Sequence, residues 1–226
     1  MRCDLLVNII MKKMLEHKID KDDKKFIAPH FPGGVVTAAD LRKIADISEQ
    51  FPECKLKLNG EIIVGCLTDE ARNKQCRSNL GLPMHSVAGF FIRPVKICSG
   101  GYICNNNLQD SFSLGLRLDK IFSGKALPFK MIISVSGCPR CCSEPLVKDI
   151  GIVSSRLGYS VFVGGAAGAK PKVAQKLIDN VKEKEVVGII ERIVAFYEKK
   201  GKTTQRLGVL IEKIGFEKFK EGCVIG

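Results

Sequence analysis

The stretch Met131-Ile-Ile-Ser-Val-Ser-Gly-Cys-Pro-Arg-Cys-Cys142 sets the organisation of the second half of this chain. Its first six residues form a mostly apolar run, which predicts a buried strand that ends before Gly137. Three cysteines follow directly. Upstream, Cys98-Ser-Gly-Gly-Tyr-Ile-Cys104 carries a second pair around two glycines, which give the chain the freedom to loop. The sequence therefore predicts two cysteine-bearing loops that meet near the end of a strand.

Four of these cysteines, Cys98, Cys104, Cys138 and Cys142, are candidate ligands of one inorganic cluster. The C-x5-C spacing does not fit a single helix face, where neighbouring side chains are three or four residues apart, so the thiols must converge from loops. A 4Fe-4S cluster needs four thiolates that converge in this way. A structural zinc site is the alternative, because Cys138 and Cys141 have the spacing of a zinc-binding pair.

The other cysteines are interpreted as small buried apolar residues, an environment in which free cysteine is common. Cys66 lies in an apolar strand, Cys141 is expected to pack beside the cluster, and the same interpretation is given to Cys3, Cys54, Cys76 and Cys223. The first twenty residues lack the cleavage site of a secretory signal, and no window reaches the roughly 18 apolar residues of a membrane span. We therefore expect a cytoplasmic protein with reduced thiols.

The composition is that of a globular protein with an anionic partner. The 226 residues are 45% hydrophobic and 27% charged, and 36 Lys and Arg against 24 Asp and Glu give a net charge of +12. The basic residues are spread along the chain, only 7% of residues are aromatic and none is Trp, which argues against a nucleic-acid platform. An oxyanion substrate or a polycarboxylate cofactor explains the charge.

The periodicity predicts an α+β fold. In the first half we expect helices at 4–17, from Thr37 to about Gln50 after a capping box with Asp40, and from Thr68 to about Leu80. Two strands, 55–58 and 61–67, are joined by a turn at Asn59-Gly60. In the second half we expect strands at 131–136, 150–153 and 159–163, and helices at about 172–182, 185–199 and 204–213.

The pattern C-x5-C followed by Gly-Cys-Pro-x-x-Cys resembles the sulfite and nitrite reductase family, which couples sirohaem to a 4Fe-4S cluster. Flanking segments support the likeness from about residue 31 to 220, among them 31–37, 93–98, 148–151 and 164–168. The length matches a single half-repeat, as in the small assimilatory-type sulfite reductases of anaerobes. The helix predicted at 4–17 and the charged residues after it form an N-terminal helix and linker (1–25). The resemblance implies a ferredoxin-like half-domain (26–92) packed on a mixed α/β domain that binds the cofactors and ends in helices (93–226).

The resemblance also implies roles for individual residues. Cys142 would be shared between the cluster and the sirohaem iron, while Arg93 and Lys130 would hold the oxyanion and deliver protons. Lys148 would meet a sirohaem carboxylate. The loop at Gly164-Gly165 lacks the Gly-Lys-Ser/Thr ending of a phosphate loop, so its glycines are interpreted as allowing close approach to a flat cofactor.

The sequence departs from the family pattern at several basic positions. Ile132 stands where a second Lys is common, His30 where an Arg is common, and Asn105 to Asn107 where small relatives tend to carry an Arg. His30 is a candidate proton donor, with a structural His as the alternative. The expected partners are sulfite or nitrite and a ferredoxin-like electron donor, and the chain is expected to act as a monomer or homodimer. The alternative function is a non-catalytic electron carrier of the same fold.

Overall fold

The computed structural model describes residues 26–51, 55–58, 62–65, 70–85 and 89–224. The predicted helix at 4–17 and the residues Cys3, Cys54 and Cys66 lie outside these ranges. The contacts divide the chain into two compact units, Met1–Gly89 and Phe90–Gly226. None of the described helices is long and apolar enough to cross a bilayer.

Among its described residues, the first unit has a four-stranded antiparallel sheet and two α-helices. Its strands are β1 (Phe26–Pro29), β2 (Lys55–Leu58), β3 (Ile62–Gly65) and β4 (Met84–His85), in the order β2-β3-β1-β4. Helix α1 (Ala38–Gln50) begins at the predicted capping box, in which the Thr37 hydroxyl accepts from the amide of Asp40 and the Asp40 carboxylate accepts from the amide of Thr37. Helix α2 is Glu70–Leu80, and a small core includes Ile44, Ile47 and Cys76.

The second unit holds a mixed five-stranded sheet. Strands β5 (Lys96–Ile97), β6 (Ile133–Ser136) and β7 (Ile150–Ser155) are parallel, whereas β8 (Gly158–Val163) and β9 (Gln175–Val181) continue the sheet antiparallel, in chain order. The helices are α3 (Ser111–Phe122), α4 (Glu183–Lys200), α5 (Leu207–Ile214) and α6 (Phe216–Val224). Two sheets with helices confirm the predicted α+β class.

One large apolar core holds the second unit together. Inward side chains of the central strands, such as Ile152 and Val161, pack with buried residues of α3 and α4, including Leu118 and Ile190. Strand β6 is buried at every residue, as expected for a strand with neighbours on both sides. The parallel arrangement of β5, β6 and β7 brings their carboxyl ends, and the loops that follow them, to one edge of the sheet.

The predicted helix at 172–182 is wrong, because most of this segment is strand β9. Val173, Leu177 and Val181 are four residues apart, which imitates the period of a helix. The pairing with β8 has irregular register between Tyr159 and Phe162, and this irregularity breaks the simple alternation of a strand. Helix α6 was not predicted.

A 3-10 turn at Pro145–Val147 connects the second cysteine loop to β7, and glycines allow it to lie flat on the sheet. A Cβ atom at Gly151 would stand 2.2 Å from the carbonyl oxygen of Pro145. At Gly165 a Cβ would stand 2.6 Å from the carbonyl oxygen of Lys148. These contacts fix the segment that leads away from Cys142.

Candidate metal centre

The two cysteine loops surround a cavity of about 200 Å³ at the carboxyl ends of β5 and β6. All four candidate ligands line it, together with parts of both loops and the end of β6. The lining residues include Cys98, Cys104, Cys138, Cys142, Asn106 and Arg140. The structure thus brings together the four thiols that the sequence singled out.

The first loop is held against helix α3. The amide of Cys98 donates to the carbonyl oxygen of Val135 (3.0 Å), which extends the parallel ladder up to the first thiol. The Ser111 hydroxyl donates to the carbonyl oxygen of Gly100 at 3.2 Å. A Cβ atom at Gly137 would approach Ser111 Oγ to 2.7 Å, so this glycine is required by the contact between the two loops and α3.

The second loop turns sharply and is tied back to β6 through Ser143. Cys141 has a φ of 54°, a left-handed conformation that is uncommon outside glycine. The Ser143 hydroxyl donates to the carbonyl oxygen of Val135 (2.8 Å) and lies 2.7 Å from Ser136 Oγ. The Ser134 hydroxyl donates to the carbonyl oxygen of Ser143 at 2.7 Å. This network fixes the backbone directly after Cys142.

Several N–H groups point at the candidate ligand sulfurs. Cys98 Sγ accepts from the amide of Gly137 at 3.0 Å and from the amide of Gly100 at 3.4 Å. Cys104 Sγ accepts from the side-chain amide of Asn106 at 3.6 Å. Donors to cluster sulfurs help to set reduction potential, so this arrangement suits thiolate ligands.

The four candidate thiols line one cavity of about 200 Å³, and an all-sulfur donor set suits the soft ligands that iron–sulfur clusters select. Within the described ranges, no three His, Cys, Asp or Glu side chains are close enough to hold one metal ion. Burial raises the pKa of the Cys141 thiol, and the thiols of Cys138, Cys142 and Cys98 raise it further.

A second polar group lies around the buried carboxylate of Asp149. Arg206 donates to this carboxylate through Nε (2.9 Å) and Nη2 (2.6 Å), and the amide of Ile132 adds a third bond at 2.8 Å. Burial lowers the pKa of Lys130, as do the neighbouring cations Arg206 and Arg93, whereas Asp149 opposes them. Arg93, Lys130 and Arg206 therefore form a basic cluster around one fully buried acid.

The basic cluster and the thiols lie at opposite ends of the same strands. The amide of Arg93 donates to the carbonyl oxygen of Met131, at the start of the ladder that ends at Cys98. Arg93 and Lys130 precede β5 and β6 in the chain, whereas Cys98 and Cys138 follow these strands. Neither Arg93 nor Lys130 lines the cavity between the cysteine loops.

The other predicted site residues have partners within the protein. Lys148 Nζ pairs with the Glu144 carboxylate at 2.8 Å. Gly164 lies against Gly208 of α5, and Gly165 against the turn at Pro145–Val147, so both glycines are needed for packing. His30 belongs to the first unit, where its amide donates to the carbonyl oxygen of Pro83. Cofactor or catalytic roles for these residues stay predictions.

Sequence reasoning missed two residues at the cysteine loops, Asn106 and Ser143, and the two residues of the buried ion pair, Asp149 and Arg206. Ser143 directly follows the last ligand, and this adjacency was the available signal. Asp149 and Arg206 are 57 residues apart, and no local pattern links them. Asp149 lies in the segment 148–151, whose likeness to the family carried no role for this residue.

Comparisons with known proteins place this geometry in context. The model of the nitrite and sulphite reductase 4Fe-4S domain matches residues 88–225. The NAD(P)H nitrite reductase of Bacillus subtilis is 29% identical over 206 residues, which cover 91% of this chain and 26% of that protein. The assimilatory-type sulfite reductase of Nitratidesulfovibrio vulgaris is 26% identical over 200 residues, 88% of this chain and 91% of that protein. The chain thus spans about a quarter of the first relative and most of the second.

Two solved structures share the fold. Dissimilatory sulfite reductase I superposes with a TM-score of 0.75 at 16% identity, over 88% of this chain and 68% of that chain. The NirA protein of Mycobacterium tuberculosis gives a TM-score of 0.75 at 19% identity, over 87% of this chain and 39% of that chain.

Proposed function

Because the chain belongs to the nitrite and sulphite reductase 4Fe-4S domain family, we propose that it is a reductase that converts sulfite to sulfide, with nitrite to ammonia as the alternative reaction. Each is a six-electron reduction, and the electrons come from an external ferredoxin-like donor. The family match and the named relatives assign a 4Fe-4S cluster and a sirohaem to this chain. The observation that carries the proposal is the convergence of the four thiols on one cavity.

The residues divide into a cofactor group and a substrate group. Cys98, Cys104, Cys138 and Cys142 would hold the cluster, and Cys142 would also hold the sirohaem. When bound, these cofactors supply electrons to the oxyanion. Arg93 holds oxyanion oxygens through its planar fork, and Lys130 delivers protons as oxygen leaves.

Lys130→Ala is expected to lower sulfite turnover by about 100-fold or more, the usual effect of removing a general acid. Neighbouring cations and burial lower the pKa of Lys130, so the side chain loses its proton at a lower pH than an ordinary lysine. Turnover should therefore decline as the pH rises through this lowered pKa, and Lys130→Arg should move the decline to higher pH. The measurement is sulfite reduction by reduced methyl viologen across pH.

Lys125→Ala is the matched control, since Lys125 is an exposed cation that pairs with Glu198. It should keep wild-type turnover. Wild-type kinetics in Lys130→Ala, with full cofactor content, would remove Lys130 from the site.

Arg93 and Lys130 are not among the residues that line the thiol cavity. We propose a homodimer in which Arg93 and Lys130 of one copy face the cavity of the other. An interface with two-fold symmetry would form two equivalent sites.

Mixed dimers test this arrangement. Cys142→Ser and Lys130→Ala chains are each expected to be inactive alone. Refolded or co-expressed together in equal amounts, they should recover about a quarter of wild-type turnover, because half the dimers are mixed and each mixed dimer keeps one intact site. If the mixture is as inactive as its components, the shared site is excluded.

Iron, acid-labile sulfide and zinc per chain, measured with the visible spectrum, test the function as a whole. The proposed reductase should contain iron and sulfide, show a haem-like Soret band with a sirohaem band in the red, and reduce sulfite. A protein with both cofactors and no turnover of either oxyanion would be the electron carrier instead. A colourless zinc protein would overturn the proposal.

A further inference from the structure

The first cysteine loop carries a side-chain amide at one of the thiols. Asn106 Nδ2 lies 3.6 Å from Cys104 Sγ and donates to it. Both residues line the cavity between the loops. By contrast, the two donors to Cys98 Sγ are backbone amides, of Gly100 and Gly137, which no substitution removes directly. A single replacement of Asn106 therefore removes the hydrogen bond to Cys104 Sγ.

We infer that Asn106 raises the reduction potential of the cluster through this hydrogen bond. The inference rests on the proposed function, because it takes Cys104 as a cluster ligand. Reduction adds one electron to the cluster and makes its ligand sulfurs more negative. A donor at Cys104 Sγ stabilises the more negative form, so it favours the reduced cluster.

The first cysteine loop has few groups that could outweigh the effect of this hydrogen bond. The segment from Ser99 to Gln109 contains no Lys, Arg, Asp or Glu, so no full charge within the loop competes with the amide dipole. Asn106 is exposed, yet its donor group lies directly on a sulfur. A weak acceptor such as a thioether gains little from a donor, but a thiolate carries charge and gains more.

The test is an EPR-monitored redox titration of the holoprotein with Asn106→Leu, which has a similar size and no donor. At a fixed ambient potential, the ratio of reduced to oxidised cluster should decrease by a factor of about 3 to 10 in the variant. A tenfold decrease corresponds to a potential lower by 59 mV for a one-electron couple. Asn105→Leu is the matched control, since Asn105 is the exposed residue between Cys104 and Asn106. It should change the ratio less than about twofold.

Three outcomes decide the inference. A shift in Asn106→Leu with little change in Asn105→Leu supports it, provided that iron and sulfide per chain are unchanged. Equal shifts in both variants, or none in Asn106→Leu, overturn it while leaving the cluster and the proposed function intact. A wild-type protein that holds no iron and sulfide overturns the proposed function, and the inference with it.

Discussion

Cys142→Ser is expected to reduce iron and acid-labile sulfide in the purified protein more than tenfold. Cys142 lines the cavity with the other three thiols, and its backbone is fixed by the Ser143 network on β6. A serine hydroxyl stays protonated near neutral pH and is a harder donor than a thiolate, whereas iron–sulfur clusters select soft thiolate ligands. The sirohaem bands should fall as well, because the proposed function gives both cofactors this one sulfur. Metal analysis and the visible spectrum measure the loss.

Cys141→Ser is the matched control for this experiment. Cys141 lies one residue earlier in the same loop, it is half-buried beside the cluster thiols, and serine tolerates its left-handed backbone about as well as cysteine. This variant should keep its iron and sulfide. Full cofactor content in Cys142→Ser, or equal loss in Cys141→Ser, would refute the ligand assignment.

Arg206→Ala is expected to lower the free energy of unfolding by about 3–5 kcal/mol, the range for breaking a buried ion pair. The Asp149 side chain is fully buried, and Arg206 supplies two of its hydrogen bonds. Without the guanidinium, an unpaired carboxylate would remain in the interior. Denaturant titration of the two proteins measures the difference.

The loss in free energy of unfolding caused by Arg206→Ala should become smaller as the pH falls. Burial is the largest influence on Asp149 and raises the pKa of its carboxyl, while Arg206 opposes this effect. Removing Arg206 raises the folded-state pKa further above that of the unfolded chain. The folded variant then binds a proton that the unfolded chain does not, so its relative stability rises as the pH falls through this raised pKa.

Arg117→Ala provides the comparison, because Arg117 pairs with Glu183 at the surface and both side chains are 44% exposed. An exposed pair contributes at most about 1 kcal/mol, so this variant should unfold nearly as the wild type does. Similar losses in the two variants would show that Asp149 is not the reason for the effect of Arg206→Ala.

Local patterns in the sequence were sufficient for much of the fold. The capping box at Thr37 and Asp40, the apolar run into Gly137 and the stripe of the helix at Glu183–Lys200 are each short-range signals, and the structure confirms them. The prediction for strand β9 was wrong because its apolar residues are four positions apart, and the strand accommodates this spacing through an irregular register with β8. A periodicity rule has no means of detecting such an irregularity.

The sequence was sufficient to single out the four cysteines that line one cavity, but it did not reveal where Arg93 and Lys130 lie relative to them. Arg93 is five residues from Cys98 in the chain, so sequence proximity favoured one shared site. In the structure β5 lies between them, so that Cys98 follows the strand and Arg93 precedes it. Arg206 reaches the same end of the sheet through a contact over 57 residues, which only the tertiary structure reveals.

The amide of Gly137 in one loop donates to the sulfur of Cys98 in the other. Together with the backbone bond from Cys98 to Val135 and the Ser111 contact, it ties both loops to β6 and α3. A substitution that moves the backbone of one loop should therefore displace a thiol of the other loop as well.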